Sequence, residues 1–185
     1  MASYSDFADR IFLQPKLLEK LCPTQPLGWD LVHRIDAAEE PAIFAPAAVA
    51  DGGMASLIRG GLLYAVDAID RAHRIFQEAK SDLGSYWHGM IHRREGDFDN
   101  ARYWFRRSGR LPFFQKLHRA AAESSPLVAR QVDWDPYLFT GQCEQARFGE
   151  EIHRELARVQ QAEFELIFDY CWRQAVKPTP SSDVK

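Results

Sequence analysis

Tyr86-Trp87-His88-Gly89-Met90-Ile91-His92-Arg93-Arg94-Glu95-Gly96-Asp97 is the stretch on which the reading of this chain turns. Residues three and four apart on a helix are neighbours, so His88, His92 and Glu95 share one stripe. Tyr86, Trp87 and Met90 mark a second, apolar face, with Arg94 set awkwardly within it. Ser85 can cap the start of this helix, and Gly96 stands where a left-handed glycine ends one. Asp97 or Asp99 then caps a second helix, from about Asn100 to Ser108, which Gly109 ends. The stretch predicts a helical hairpin with a polar stripe on its first arm.

Working outward, Pro112 fits the first turn of a helix running to about Glu123. A looser segment holding Pro126 and Pro136 follows, and then a long helix from about Cys143 to Ala175. Upstream, Ile58, Leu62, Ala65, Ile69, Ala72 and Phe76 recur at steps of three and four. That spacing predicts one helix over 54–80, weakened or kinked by Gly60-Gly61. Residues 1–53 carry Pro15, Pro23, Pro26, Pro41 and Pro46 and read as an N-terminal wrap of short helices, one of them around Leu27–Glu39. Residues 54–176 read as a helical core, and 177–185 as a disordered tail. No stretch alternates with period two. The expected fold class is all-α, an irregular helical bundle with a long C-terminal helix.

The 185 residues, 46% hydrophobic and 26% charged, have the composition of one soluble globular domain. A net charge of −3 argues against a dedicated nucleic-acid binder. No apolar run approaches the ~18 residues of a membrane span, and the first residues show no basic-then-apolar secretory pattern. Cys22, Cys143 and Cys171 lie far apart without a CxxC pair, which fits buried thiols in a reducing compartment. A cytoplasmic location is therefore expected.

Two resemblances rest on particular residues. Gly89, Gly96-Asp97-Phe98, Ala101 and Phe105 resemble one tetratricopeptide unit, and Ala101–Gly109 is also similar to the end of a Sel1-like repeat. Only one such unit is present, whereas solenoids need about three. The likeness implies a packed hairpin, with His88 and His92 at its inward positions. A longer likeness covers about residues 57 to 176, through Asp70-Arg71-Ala72-His73, the string Trp87–Arg107 and Gln161–Cys171. These blocks resemble an uncharacterised family of bacteria and fungi marked by W-H-x-x-x-H-R-R-E-x-D-x-x-N-A-x-Y-W-[FY]-R-R. That resemblance adds weight to His73, His88, His92 and Glu163 without implying an activity.

The last long helix supplies the other half of the candidate site. Ile152, Leu156, Val159, Leu166, Ile167 and Tyr170 form its apolar arc, and Glu163 falls inside that arc. A buried carboxylate must be paired, hydrogen-bonded or protonated. An imidazole or a guanidinium from another element suits it best.

Several outcomes stay open. His88, His92, Glu163 and Glu95 or Arg94 could form a buried hydrogen-bond network that fixes helix packing. They could instead line, with His73, a polar pocket for a small molecule. Or His88 and His92 could hold a divalent transition metal, zinc or iron, with Glu163 as third ligand and His73 as the alternative. The zinc-protease signature is absent, because Gly89 occupies the place of its catalytic glutamate. Asp70 could orient His73, although a solvated helix face accounts for it more simply. Arg93, Arg94, Arg102, Arg106, Arg107 and Arg110, interleaved with Tyr103, Trp104 and Phe105, read first as solvated arginine heads on a packed helix. Such a pattern also suits an anion or single-stranded nucleic acid. The expected function is small-ligand binding or protein interaction at a His/Glu-lined pocket. The alternative is a metal-dependent hydrolase or oxygenase.

Overall fold

The computed structural model describes residues 4–146 and 151–176. Helices α1 (Asp6–Phe12), α2 (Trp29–Ala37) and α3 (Glu40–Phe44) precede α4 (Gly52–Ala65), α5 (Ile69–Phe76), α6 (Asp82–Glu95) and α7 (Phe98–Ser108). Helices α8 (Phe114–Ala122), α9 (Pro126–Ala129), α10 (Pro136–Gln145) and α11 (Glu151–Ala175) complete the chain. The fold is an all-α bundle; among the described residues the only β feature is an isolated bridge between Val49 and Val176. The expected disordered tail, 177–185, lies outside the described residues.

The hairpin forms for local reasons. Ser81 accepts a hydrogen bond from the Gly84 amide at 3.0 Å and caps α6, and Asp97 caps α7 through the Asn100 amide at 3.3 Å. Gly96 ends α6 with φ +80°, a conformation that glycine adopts at little steric cost. A Cβ on Gly89 would stand 2.7 Å from the Phe105 ring, so the missing side chain is what lets α7 lie against α6. Ser85, expected as the cap, is instead inside α6 and buried, its amide bonded to the Ser81 carbonyl.

Two long helices expected from periodicity are each interrupted. Residues 54–80 form α4 and α5, separated at Val66–Ala68, where Asp67 takes φ +61°. Arg94 stabilises that break. Its Nη1 donates to the Tyr64 carbonyl at 2.7 Å, in the last turn of α4, while its Nη2 pairs with Asp67. A cation at the carbonyl end of a helix satisfies groups that have no partner within the helix. The Gly60-Gly61 pair lies inside α4 and makes room for neighbours. Cβ atoms there would meet Phe76 at 2.6 Å and Phe168 at 2.8 Å. Likewise α10 ends where Ala146 turns extended, ψ 127°, and α11 begins at Glu151.

Aromatic rings fill the centre. Trp87 stacks on Phe76 with centroids 4.9 Å apart, and Tyr64 stacks on Phe164 at 5.6 Å. Residues of the N-terminal segment contribute to the same core, with Ala8, Ile11, Leu21, Val32, Ile35 and Phe44 all buried. Burying each larger aliphatic or aromatic side chain contributes roughly 1.5–3 kcal/mol. No helix among the described residues is long and apolar enough to cross a membrane.

Candidate metal centre

Helix α6 presents His88 and His92 on the side that faces α5, and α5 presents His73 to them. The rings of His88 and His92 lie nearly parallel with centroids 4.8 Å apart, and His73 stands edge-on to each, also at 4.8 Å. One nitrogen from each imidazole falls within 4.8 Å of the other two. His73 Nε2 and His88 Nε2 are 2.9 Å apart. His88 and His92 are buried, at 4% and 8% exposure, while the His73 side chain is 25% exposed and forms the solvent edge of the cluster.

Glu95, one turn beyond His92, orients two of the three rings. Its Oε1 is 2.6 Å from His73 Nδ1, and its Oε2 is 3.0 Å from His92 Nδ1. The second contact leaves Nδ1 of His92 without a well-formed hydrogen bond. A carboxylate only accepts, so His73 carries its proton on Nδ1 and, when neutral, presents the Nε2 lone pair to the cluster. His88 differs. Its Nδ1 is buried with no hydrogen-bond partner, and its outer face is stacked on Trp104 at 3.9 Å.

These surroundings drive the titrations apart. Burial first, then the neighbouring His92 and His73, push His88 down to about 4. The Glu95 hydrogen bond raises His73 against the opposing effect of burial. Burial alone would raise Glu95, but its contacts with His73 and His92 outweigh that and hold it at about 2. In metal-free protein His88 therefore lowers stability as pH falls from 6.5 toward 4, because the unfolded chain takes up a proton that the folded chain refuses. Glu95 adds a loss from 4.5 toward 2, while the contribution of His73 is complete below 6.5 and is lost as pH rises through its raised folded value. Thermal melts in EDTA should show Tm falling below pH 6.5, and His88→Gln should flatten the limb between 6.5 and 4. An unchanged limb in His88→Gln would count against this assignment.

Glu163 is not part of the cluster, which corrects its expected place as third metal ligand. It is buried as expected from its helix face, but Arg93 takes it: Nη2 pairs with Oε2, and Nη1 lies 3.3 Å from Oε1. Tyr86 donates to Glu163 Oε1 at 2.7 Å, and Trp134 Nε1 donates to Tyr86 Oη at 2.6 Å. The reason is rotational. One residue beyond His92, α6 has turned about 100°, so Arg93 faces α11 while His88 and His92 face α5. The third imidazole is His73, the alternative candidate. Arg93 and Arg94, expected as solvated heads, are both buried at 1% and 0% exposure. Arg93 also lies over the Phe139 ring at 4.5 Å.

Asp70 stays exposed, and Glu95 holds the orienting position considered for it. The reading of the sequence did not single out Trp104 as a neighbour of the histidines, nor Tyr86 and Trp134 as partners of Glu163. Their spacing carries no signal, because each comes from a different element. Cys143 and Cys171 are buried thiols, each pushed up to about 12 by burial, and are inert at neutral pH. Glu95 also forms part of the wall of an outer cleft of about 680 Å³, together with Trp29, Ile69, Arg71 and Arg74.

Comparison of the chain with protein families, curated proteins and solved structures finds no match in any of the three.

Proposed function

We propose that this protein binds a divalent transition metal, zinc by preference, through His73, His88 and His92. The reading rests on one observation: one nitrogen from each of three imidazoles lies within 4.8 Å of the other two. Three neutral nitrogens suit zinc at Zn–N distances of about 2.0–2.1 Å, and a set with no thiolate is typical of catalytic rather than structural zinc. Three protein ligands leave a fourth position for water or substrate, and the partly exposed edge at His73 is where solvent reaches the cluster. The absence of a carboxylate from the set disfavours the iron facial triad and hence the oxygenase alternative. Hydrolysis by a metal-bound water is the chemistry that this donor set supports.

Metal analysis of protein prepared without a histidine tag and equilibrated with zinc should return one zinc per chain. Protein that emerges from dialysis without zinc would sink the proposal and leave a hydrogen-bonded network that fixes α5 on α6. Glu95 gives a finer test. Glu95→Gln keeps the shape but weakens the hold on His73, and should reduce zinc affinity by about 10–100-fold, as losses of orienting carboxylates do. Competition against a chelating dye reads this directly, and wild-type affinity in Glu95→Gln would remove Glu95 from its orienting role.

A further inference from the structure

We propose a second binding site, apart from the imidazole cluster, that takes a fatty carboxylate: an alkyl chain laid along α11 with its head at Lys16 and Lys116. A cavity of about 630 Å³ is lined by residues of the loop after α1, of α8 and of α11. That volume falls within the range of about 300–1,000 Å³ usual for small-molecule pockets. Phe12, Leu17, Phe164, Leu166 and Phe168 supply its apolar surface. The Phe12 ring stands edge-on to those of Phe164 and Phe168, at 6.0 and 5.0 Å. Ala120 and Ala162 line the same cavity, and their short side chains leave it unfilled. The α11 residues of the lining run from Gln161 to Arg173, about 18 Å at the helical rise per residue. Space of that length suits an extended chain better than a compact ring.

The loop that lines this cavity is held in an uncommon shape. Lys16 and Leu18 take φ +65° and +58°, a region that bulky side chains rarely enter. Leu18 is buried, and the Lys20 carbonyl just beyond it accepts from Arg94 Nη2 at 3.3 Å and Gln160 Nε2 at 3.2 Å. Such conformations persist where the surroundings impose them, and they gather at ligand clamps. Here the imposed loop brings Lys16, Leu17, Leu18 and Glu19 to one cavity wall. The charges of the lining favour an anion. Arg173 is paired with Asp169, and Glu165 accepts from Gln161 at 2.8 Å. Lys16 and Lys116, from two different elements, are exposed and have no acidic partner among the described residues, and Glu19 is the one acid left to oppose them. A carboxylate on an alkyl chain matches both the ammonium groups and the apolar surface.

Calorimetric titration of the full chain with octanoate, decanoate and dodecanoate, each below its micelle concentration, tests this. Every added methylene that is buried should tighten binding by up to about fourfold. Decyltrimethylammonium, with the same apolar tail and the opposite charge, should bind several-fold more weakly than decanoate. Lys16→Gln combined with Lys116→Gln should remove that preference, each exposed pair contributing up to about fivefold. Ala162→Phe should fill the cavity and abolish binding of every probe, and Ala120→Phe should do the same from α8, with melting curves showing both chains folded. Affinity that does not rise with chain length, or equal affinity for the anionic and cationic probes, would overturn the proposal. Wild-type binding in both phenylalanine variants would overturn it as well. Run in EDTA, these titrations give an outcome independent of the metal reading.

Discussion

Glu163→Gln is expected to lower the unfolding free energy by about 3–5 kcal/mol, the usual result of removing one partner from a buried ion pair. The substitution keeps the shape of the side chain but leaves the Arg93 guanidinium charged, 1% exposed and without its counter-ion. Tyr86 also loses the carboxylate that accepts its hydroxyl hydrogen. For a chain of this length the loss corresponds to a fall in Tm of about 6–20 °C, at about 2–4 °C per kcal/mol. Two further readouts make the result specific. Zinc stoichiometry in Glu163→Gln should stay at one per chain, because Glu163 belongs to the Arg93–Tyr86–Trp134 network and not to the imidazole cluster. Replacing both charges, as in Arg93→Met with Glu163→Met, should recover much of the loss, because an apolar pair of similar volume leaves no buried charge. A Glu163→Gln protein that melts with the wild type would show that this ion pair is not needed for the fold.

His92→Ala is expected to abolish zinc binding under conditions that saturate the wild type. Loss of a direct ligand exceeds the 10–100-fold penalty for loss of an orienting group. The effect is readable as stability. A ligand at 100 times its Kd stabilises the folded state by about 2.7 kcal/mol, so excess zinc should raise the wild-type Tm by about 5–11 °C. The His92→Ala chain should show no such rise, although its metal-free form should remain folded. That contrast separates a ligand from a packing residue. If the variant melted low both with and without zinc, His92 would be holding helices together, and the cluster would be a hydrogen-bonded network that fixes helix packing.

The residues that organise the hairpin were legible because their signals are local. Gly96 and Asp97 mark a stop and a start through backbone conformation and capping, and the stripe of His88, His92 and Glu95 follows from helical geometry alone. The burial of Glu163 was legible too, from its place within the apolar arc of α11. Its partner was not. Periodicity gives the face of a helix but not which neighbour that face meets, so the same buried carboxylate suited an imidazole or a guanidinium equally well. The break between α4 and α5 was hidden for a similar reason. The apolar spacing runs on through residues 66–68, and the turn at Asp67 is held by Arg94, which lies 27 positions away.

Within the sequence itself lay the helical class of the chain, the hairpin at its centre and the two histidines and acid that share one face. Capping, spacing and turn chemistry act over a few residues and need no knowledge of what packs where. Only the tertiary structure decided that His73 completes the cluster, that Glu95 orients it, and that Arg93 and Arg94 turn inward to neutralise Glu163 and Asp67. Those outcomes depend on which helix faces lie against one another. That choice is made by the packing of rings such as Phe76, Phe105 and Phe168 against the bare backbones of Gly60, Gly89 and Gly61.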